Sequence, residues 1–277
     1  MPELPEVEHV VRALRVSVNG SRIVASEVTL PKLISPLTNA SFNRKLKNAR
    51  IAAVNRRGKY ILIELDNRLT LAVHLRMTGQ FLVLSLDDEL PRHAHAVFYL
   101  EDDRRLVFRD QRQFGVMKLV ATPKLAELKG IIELAPEPFS SEFSLAYLKE
   151  TLGRSRRTLK TILLDQTRVL GLGNIYAAEA LFRARINPFK VAAQLSTKRV
   201  DRLHQAIRDV LRAAVSGNSS SRISLENAEG FSYGEAFGRV WQVYEREGKP
   251  CYKCGARIRR LTHGGRSTYW CPTCQRR

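Results

Sequence analysis

Cysteine is absent from the first 250 of the 277 residues, and all four cysteines follow residue 250. Most of the chain therefore folds without disulfides. Long apolar runs are also missing, since no stretch approaches the roughly 18 residues of a membrane span. The acidic start, Met1-Pro-Glu-Leu-Pro-Glu, lacks the pattern of a signal peptide. These absences argue against a disulfide-rich secreted scaffold and an integral membrane protein, and they predict a cytoplasmic location.

Acidic residues are scarce relative to basic ones. The chain has 27 Asp and Glu against 46 Lys and Arg, a formal net charge of +19 and a pI of about 10.3. Hydrophobic residues make up 44% of the chain, as in ordinary globular proteins. So large a net positive charge, on a chain with the composition of a globular protein, predicts a polyanionic partner, and nucleic acid is the leading candidate. A membrane surface is the weaker alternative, because no compact basic amphipathic helix stands out.

The cysteines form two C-x2-C pairs separated by sixteen residues: Cys251 with Cys254, then Cys271 with Cys274. This spacing is typical of a zinc ion held by four thiolates on two knuckles of a hairpin. Two disulfides are the alternative, which a cytoplasmic chain disfavours. Four protein ligands leave no open coordination position, so the prediction is one structural Zn2+.

The segment around these cysteines is strongly basic. Residues 251–277 contain seven Lys and Arg and no Asp or Glu. A zinc hairpin of this charge is suited to contact phosphate groups, and a solvated tail is the alternative. Arg266, in the Gly-Gly-Arg-Ser-Thr turn, is the predicted phosphate contact.

The N-terminus carries a latent nucleophile. Removal of Met1 would give Pro2 a free secondary amine, and α-amino groups titrate near pH ~7.7–8.0, so that a useful fraction is neutral at physiological pH. Glu3 is one residue away and could move protons for this amine. The alternative is that Pro2 and Pro5 only mark the start of a helix.

Hydrophobic periodicity divides the chain into a strand-rich part and a helical part. Residues 5–18 have apolar positions at helical spacing. Between residues 21 and 120, eight short β-branched or aromatic segments alternate with turns, which predicts a sandwich or a barrel. Residues 130–142 include two prolines and little periodicity. Downstream, the pattern predicts a mobile loop at 216–224 and helices at 144–152, 156–165, 174–185 and 196–215.

Three short segments could support binding or catalysis. Gly171 and Gly173 precede a predicted helix with Asn174 as its N-cap, and a helix N-terminus is a ready phosphate site. An ordinary helical hairpin explains these residues equally well. Lys59 follows a glycine at a strand start, which alone is a weak signal. In the other two segments, Met77, Arg112 and Phe114 could wedge into a base stack, but core packing is the better interpretation of each one alone.

Together these segments resemble the formamidopyrimidine-DNA glycosylase family of base-excision repair enzymes. The resemblance covers almost the whole chain, in order. It rests on PELPEVE at 2–8, RRGKY at 56–60, HLRMTG at 74–79, DQRQFG at 110–115, DQTRVLGLGNIYAAEALF at 165–182, and the terminal cysteine hairpin.

The resemblance implies an α+β fold of two domains with DNA lying between them. The N-terminal domain, at 1–130, would be a catalytic β-sandwich flanked by helices. A linker at 131–142 would lead to a helix-two-turn-helix domain at 143–277, which ends in a zinc finger at 240–277. It also implies a monomer in a bacterial-type cytoplasm, associated with the nucleoid.

The resemblance further implies a bifunctional glycosylase and lyase that acts on double-stranded DNA with damaged bases or abasic sites. Pro2 would attack C1′ of the damaged nucleoside, Glu3 would shuttle protons, and Lys59 would belong to the catalytic group and contact phosphate. The implied phosphate contacts are His74, Asn174, Tyr244 and Arg266. The residues implied to fill the gap left by the extruded nucleotide are Met77, Arg112 and Phe114.

The resemblance favours oxidised purines as substrates, namely 8-oxoguanine and formamidopyrimidines. Two features favour the family members that act on oxidised purines: the start PELPE, and the presence of all three of Met77, Arg112 and Phe114. The sequence departs from the family between residues 216 and 240, where Gly238 stands in the position usual for Gln. The alternatives are an endonuclease VIII-like glycosylase for oxidised pyrimidines and a non-catalytic binder of damaged DNA.

Overall fold

The computed structural model describes residues 1–216, 224–226 and 240–276, and these residues divide into two compact units. The first unit contains Met1–Ile132 and residues 224–226, and the second contains residues 133–216 and 240–276. Most of the predicted loop at 216–224, and Gly238, lie outside the described residues. Across the described ranges, no helix combines the length and the apolar character needed to cross a membrane.

In the first unit, eight strands form two antiparallel four-stranded sheets. One sheet has the order β1-β6-β7-β5 and the other the order β2-β3-β4-β8. All eight segments predicted between residues 21 and 120 form strands. The strands are β1 (Ile23–Val28), β2 (Ile51–Arg57), β3 (Tyr60–Leu65), β4 (Leu69–His74), β5 (Gly79–Ser85), β6 (Ala94–Leu100), β7 (Arg104–Asp110) and β8 (Val116–Ala121).

A single apolar core joins both sheets to two helices. Alternate strand residues such as Ile61, Ile63 and Phe108 are buried in it, as expected for strands with one face toward a core. Helix α1 (Leu4–Val18) buries its apolar stripe in the same core. These features confirm the predicted α+β sandwich flanked by helices.

Two features of the first unit were not predicted. Helix α2 (Asn39–Leu46) buries only Phe42 and Leu46, too few apolar residues to give a periodic signal, and it begins where the Thr38 hydroxyl accepts the Ser41 N–H. Leu225, placed by sequence in the second domain, packs in the core of the first unit. Its carbonyl accepts the Val83 N–H at 2.7 Å.

The second unit is helical and ends in a hairpin. Its helices pack around a separate core that includes Leu163, Tyr176, Leu181 and Leu211. The elements are α3 (Leu145–Gly153), α4 (Leu159–Leu163), α5 (Asn174–Arg183), α6 (Thr197–Ser216), β9 (Arg259–His263) and β10 (Arg266–Trp270).

Helix α4 is shorter than the predicted 156–165. Thr158 has an extended backbone and forms a β-bridge with Val191, so the helix cannot begin earlier. It ends at Leu163, and Leu164 is its C-cap.

Candidate functional site

The N-terminus is packed against the start of α1. Pro2 is buried and Glu3 is 2% exposed, although Met1 in front of them is 47% exposed. The Glu3 N–H donates to the Glu6 carboxylate at 2.8 Å, and the Glu3 carbonyl accepts the Val7 N–H at 3.1 Å. These bonds fix the backbone that carries Pro2 and Glu3.

The N-terminal amine lies in a distinctive electrostatic environment. Burial is the main cause that lowers the pKa of the Met1 amine below its ordinary value of 8.0. Glu3 and Glu6 oppose this effect, whereas the charges of Lys59 and Arg112 add to it. The fold therefore brings Glu3, Lys59 and Arg112 within electrostatic reach of the amine.

Lys59 is held by a tight turn that is connected to α1. The side chain is buried, and Gly58 before it has a φ of +56°, a backbone region that favours glycine. Arg56 donates to the Gly58 carbonyl at 2.9 Å and also to the Glu8 carboxylate of α1 at 2.9 Å. The ion pair between α1 and Arg56 therefore positions the turn that carries Lys59.

His74 lies opposite Tyr60 in the β3–β4 pair, at the same end of the sheet as Lys59. Its ring packs edge-on against the Tyr60 ring, with centroids 4.8 Å apart. Burial, with the charges of Arg76 and Lys59, lowers the pKa of His74 to about 3. Nδ1 accepts the Arg76 N–H at 3.0 Å, so the proton of the neutral ring is on Nε2. His74 is thus a neutral hydrogen-bond donor at physiological pH.

The lowered pKa of His74 predicts a specific dependence of stability on pH. The unfolded chain binds a proton at His74 below pH ~6.5, and the folded chain does so only near pH 3, so folding weakens as the pH falls. Between pH ~6.5 and ~5, His74 should account for about 1.5 kcal/mol of lost unfolding free energy.

Urea unfolding of wild type and His74→Gln at the two pH values measures this contribution. The variant should lose about 1.5 kcal/mol less than wild type over the interval. His93→Asn, at an exposed position with φ of +66° that Asn tolerates, is the matched control. Equal losses in wild type and His74→Gln would contradict the assignment.

Met77, Arg112 and Phe114 lie on two loops of the first unit. Met77 is 37% exposed and Phe114 is 52% exposed, so core packing is not their role. The Arg112 guanidinium stacks over the Phe114 ring, 4.9 Å from its centroid. Arg76 and Gln113, beside these residues, have positive φ values of +54° and +55°. Both loops therefore hold their tips in uncommon backbone conformations.

Asp110 joins the two loops. It is 1% exposed, and its carboxylate accepts the Thr78 hydroxyl and, at 2.7 Å, the Gly115 N–H. The Thr78 hydroxyl oxygen in turn accepts the Arg112 N–H at 3.0 Å. One buried carboxylate thus sets the relative position of the loop that carries Met77 and the loop that carries Arg112.

Replacing Asp110 with Asn should loosen both loops. An amide cannot accept from Thr78 and Gly115 together, because its NH2 group would face one of these donors. We expect the free energy of unfolding to fall by about 1–3 kcal/mol. Thermal or urea unfolding measures the loss, and Thr78→Ser, which keeps the hydroxyl, is the control. A loss no larger than that of the control would contradict this role.

The turn between α4 and α5 is held by a side chain that the sequence analysis gave no role. Gln166 donates to the carbonyls of Leu164 at 3.1 Å and Leu172 at 2.9 Å, and it accepts the Gly171 N–H at 3.0 Å. Gly171 has a φ of +89°, a backbone conformation that glycine adopts more easily than other residues, which explains why the turn needs a glycine at this position.

The prediction that Asn174 is the N-cap of α5 is wrong. Gly173, with extended backbone, occupies that position, and Asn174 is the first helical residue. Its side chain turns to the C-terminal hairpin instead, where Nδ2 donates to the Ser267 carbonyl at 3.0 Å. The buried Lys160 ammonium donates to the same carbonyl at 2.6 Å.

Arg266 is exposed at the start of β10. It directly precedes Ser267, whose carbonyl accepts the bonds from Asn174 and Lys160. In the part of the chain that the structure describes, its guanidinium has no partner. Asn174 and Arg266 are thereby brought to the same edge of the second unit.

Tyr244 is half-buried between two rings and is positioned by α5. Its ring packs against Tyr269, with centroids 5.2 Å apart. Glu179 of α5, 6% exposed, accepts the backbone N–H groups of Gln242, Val243 and Tyr244 at 2.9–3.0 Å. This carboxylate fixes the segment that leads into the hairpin.

The four cysteines converge at the base of the hairpin. Their Sγ atoms all lie within 4.8 Å of one another. The Cys251–Cys274 and Cys254–Cys271 sulfur distances are 4.0 and 3.4 Å, too long for disulfides, and tetrahedral Zn–S bonds of about 2.3 Å would place sulfurs about 3.8 Å apart. The cluster fits one structural Zn2+, which confirms the prediction and removes the disulfide alternative.

Sequence reasoning missed the residues that position the others. Asp110 and Glu179 are buried and Gln166 is half-buried, and each has two or three backbone or hydroxyl partners. All three lie within the motifs at 110–115 and 165–182, but only their partners in space reveal what they do. A polar residue within an otherwise buried or loop-forming segment was the available signal.

Family models match three parts of the chain. The formamidopyrimidine-DNA glycosylase N-terminal domain matches residues 1–117, the formamidopyrimidine-DNA glycosylase H2TH domain matches residues 134–224, and the zinc finger found in FPG and IleRS matches residues 248–277.

Relatives match over the full length. Formamidopyrimidine-DNA glycosylase of Pelotomaculum thermopropionicum is 46% identical over 276 residues, which cover 100% of this chain and 99% of the relative. The Bacillus subtilis protein of the same name is 40% identical over 276 residues, with 99% of each chain covered. The Lactococcus lactis Fpg structure with abasic-site DNA is 33% identical, with a TM-score of 0.89 over 99% of this chain and 100% of that one.

The sandwich, the H2TH unit and the zinc hairpin together define a DNA glycosylase of the repair type. The chain belongs to the formamidopyrimidine-DNA glycosylase family.

Proposed function

We propose that this protein is a bifunctional DNA glycosylase and AP lyase that removes oxidised purines from double-stranded DNA. The observation that carries the proposal is the N-terminal amine with a lowered pKa beside Glu3 and Lys59. We further propose that the protein acts as a monomer, in a cytoplasm where it meets the nucleoid, on duplexes with 8-oxoguanine, formamidopyrimidines or abasic sites.

The nucleophile in this proposal is Pro2 after removal of Met1. Burial and the charges of Lys59 and Arg112, which lower the pKa of the Met1 amine, would act in the same way on a proline amine next to it. A larger fraction of that amine would then be neutral at pH 7, with its lone pair free to attack carbon.

The reaction begins when the nitrogen lone pair of Pro2 forms a bond to C1′ of the damaged nucleotide. The C1′–base bond breaks, and its electron pair leaves with the base, which takes up one proton, while the Pro2 nitrogen gives up its own N–H proton. Glu3 protonates O4′ as the sugar ring opens, which leaves an iminium between Pro2 and C1′. Loss of a C2′ proton then expels the 3′ phosphate, and loss of a C4′ proton expels the 5′ phosphate. Hydrolysis of the iminium restores the amine.

The remaining predicted residues would hold the DNA. Lys59 and the neutral His74 would contact phosphates from the first unit, and Asn174, Tyr244 and Arg266 would do so from the second. Met77, Arg112 and Phe114 are exposed on loops that Asp110 joins, as residues that fill the gap beside an extruded nucleotide need to be. These inserted side chains would offset part of the cost of unstacking, a few kcal/mol.

Solved structures of relatives support oxidised purines as substrates. The Lactococcus lactis Fpg structures include a complex with Fapy-dG DNA, and a MutM structure contains carbocyclic 8-oxo-G DNA. Another Lactococcus lactis complex contains an oxidised pyrimidine, which favours that base class as the second candidate. Both candidates share the same nucleophile and differ in the base that the pocket accepts.

Borohydride trapping on a panel of duplexes tests the proposal. Met1-free protein should form a covalent adduct with duplexes that contain 8-oxoguanine opposite cytosine, formamidopyrimidine or an abasic site, and should trap the oxidised pyrimidine duplex less well. An oxidised pyrimidine as the best substrate would select the second candidate. Binding without any adduct or released base would show a non-catalytic binder of damaged DNA.

A further inference from the structure

The chain leaves the first unit through residues 128–132, which we call the exit segment. This segment covers part of the β2-β3-β4-β8 sheet, on the face opposite to the main core. Side chains alternate along β3, so Ile61 and Ile63 join the main core, whereas Leu62 lies on the face toward the exit segment. The small cluster on this face contains Leu62, Ala72 and Ile131, with Tyr60, Leu125 and Leu128 packed against it.

Backbone hydrogen bonds close the exit segment into a turn. The Leu128 carbonyl accepts the N–H groups of Ile131 at 2.8 Å and Ile132 at 3.1 Å. The Leu128 N–H in turn donates to the Leu125 carbonyl at 3.2 Å. The Ile131 side chain is buried and anchors this turn in the small cluster. The backbone between Leu128 and Ile131 therefore has a defined position on the sheet.

Gly130 brings the backbone of this turn directly onto Tyr60. Its φ of +92° lies in the region that favours glycine. A Cβ atom at Gly130 would also lie 2.7 Å from the hydroxyl oxygen of Tyr60, closer than carbon and oxygen atoms pack. Gly20 has a similar φ of +87°, but a Cβ atom there would meet nothing within 4 Å. The hydroxyl end of the Tyr60 ring therefore lies against the exit segment.

The Tyr60 ring also contacts His74. The two rings pack edge to face, with centroids 4.8 Å apart and an interplanar angle of 88°. Tyr60 begins β3 and His74 ends β4, so this contact lies at the sheet end that carries Lys59. Burial is the first cause of the low pKa of His74, followed by the charges of Arg76 and Lys59. The Tyr60 ring supplies part of this burial, because it excludes water from one side of the imidazole.

We propose that Tyr60 is a positioning residue that transmits the placement of the exit segment to His74 and to Lys59 beside it. The exit segment holds the hydroxyl end of the ring, and the ring holds the imidazole. The inference rests on the proposed function, because it takes His74 and Lys59 as the groups that contact DNA phosphate. The placement of the His74 ring is nevertheless a property of the free protein and can be measured without DNA.

Replacing Tyr60 tests the role of the ring. The readout is the protonation of His74 in the free protein, followed by NMR of the histidine ring nitrogens and assigned with His74→Gln. In wild type, the ring should stay neutral at pH ~5, because its pKa is about 3. In Tyr60→Ala, water reaches the imidazole, and its pKa should rise to about 5 or higher, toward the ordinary ~6.5. Tyr60→Phe keeps the ring and should keep the imidazole neutral.

The rate of base removal gives a second readout. Tyr60→Ala should remove 8-oxoguanine in a single turnover about tenfold more slowly than wild type, because small displacements of positioned groups cost factors of this size or more. Tyr60→Phe, the conservative variant, should restore the rate to near that of wild type. A purely structural role of Tyr60 would lower the melting temperature without a change in the protonation of His74.

Replacing Gly130 tests the role of the exit segment. Gly130→Ala places a methyl group against the Tyr60 hydroxyl, so it should displace the ring, raise the pKa of His74 and slow base removal. Gly20→Ala is the matched control, with the same kind of backbone strain and no such contact. It should lower the melting temperature by a similar amount and leave His74 neutral. Adding Tyr60→Phe to Gly130→Ala removes the oxygen that the methyl group meets, and it should return both readouts toward wild type.

A His74 ring that stays neutral at pH ~5 in folded Tyr60→Ala would overturn the proposal. Equal pKa values of His74 in Gly130→Ala and Gly20→Ala would overturn it too, as would a Gly130→Ala defect that Tyr60→Phe does not relieve. If Tyr60→Ala does not fold, the two glycine variants decide the question. Failure of the proposed function has a different signature: wild type would release no base from any duplex, while the protonation of His74 would still report on Tyr60.

Discussion

The Glu3→Gln variant is expected to remove damaged bases about 10²–10⁴-fold more slowly than wild type. The reason is that an amide cannot donate or accept the protons that the opening sugar requires, and general acid–base catalysis contributes a factor of this size. Glutamine has nearly the same shape, and its side-chain oxygen can still accept the Glu6 N–H, as the Glu3 carboxylate does in the capping box of α1. The affinity for abasic-analogue DNA should therefore change by less than about threefold.

Single-turnover kinetics on a duplex with 8-oxoguanine opposite cytosine measure this loss, and gel-shift titration measures the affinity. Glu89→Gln, at an exposed position on the same unit, is the control for removal of one negative charge. A rate of base removal within tenfold of wild type would contradict the role of Glu3. A parallel fall in rate and affinity would point to a damaged N-terminus instead.

Replacing Cys254 with Ser should abolish specific DNA binding. Structural zinc sites of four thiolates contribute about 10–16 kcal/mol of folding free energy in small domains, so loss of one ligand should release the metal and unfold the hairpin. Unfolding of the hairpin removes Arg266 and the Ser267 carbonyl that anchors Asn174 and Lys160. We expect a loss of affinity of at least about 100-fold, while the first unit stays folded.

Zinc content by elemental analysis and affinity by titration check this outcome. Thr273→Ser lies within the same knuckle, is exposed and keeps all four thiolates, so it should retain one zinc per chain and full affinity. If zinc-free Cys254→Ser protein binds damaged DNA as tightly as wild type, the hairpin does not contribute to DNA binding and the prediction is contradicted.

Local patterns account for much of the fold. The eight strands were predictable because each alternates or concentrates β-branched and aromatic residues between turn residues. Helix α2 was not, since Phe42 and Leu46 are its only buried residues. The packing of Leu225 in the first core was also beyond sequence reasoning, because its partner Val83 is remote along the chain. Short-range signals specify elements, and tertiary contacts decide where outlying segments pack.

The candidate site also has one part that the sequence predicts and another part that depends on contacts between distant residues. The cysteine cluster could be predicted from spacing alone, because each knuckle of a zinc hairpin supplies a closely spaced pair of cysteines. The positions of Met77 and Arg112 depend on Asp110, which is 32 residues from Thr78, and Tyr244 depends on Glu179, 65 residues away. In the sequence, such a carboxylate shows only as a polar residue in an otherwise buried or loop-forming segment, and its partners become visible only when the strands and helices are placed.

The most direct test of the account is to identify the residue that becomes covalently linked to DNA. Met1-free protein would be reduced with borohydride during reaction with an 8-oxoguanine duplex, digested and analysed by tandem mass spectrometry. We expect a sugar fragment on the nitrogen of Pro2, and no adduct in protein that retains Met1. An adduct on a lysine such as Lys59, or equal adducts with and without Met1, would contradict the N-terminal proline as the nucleophile.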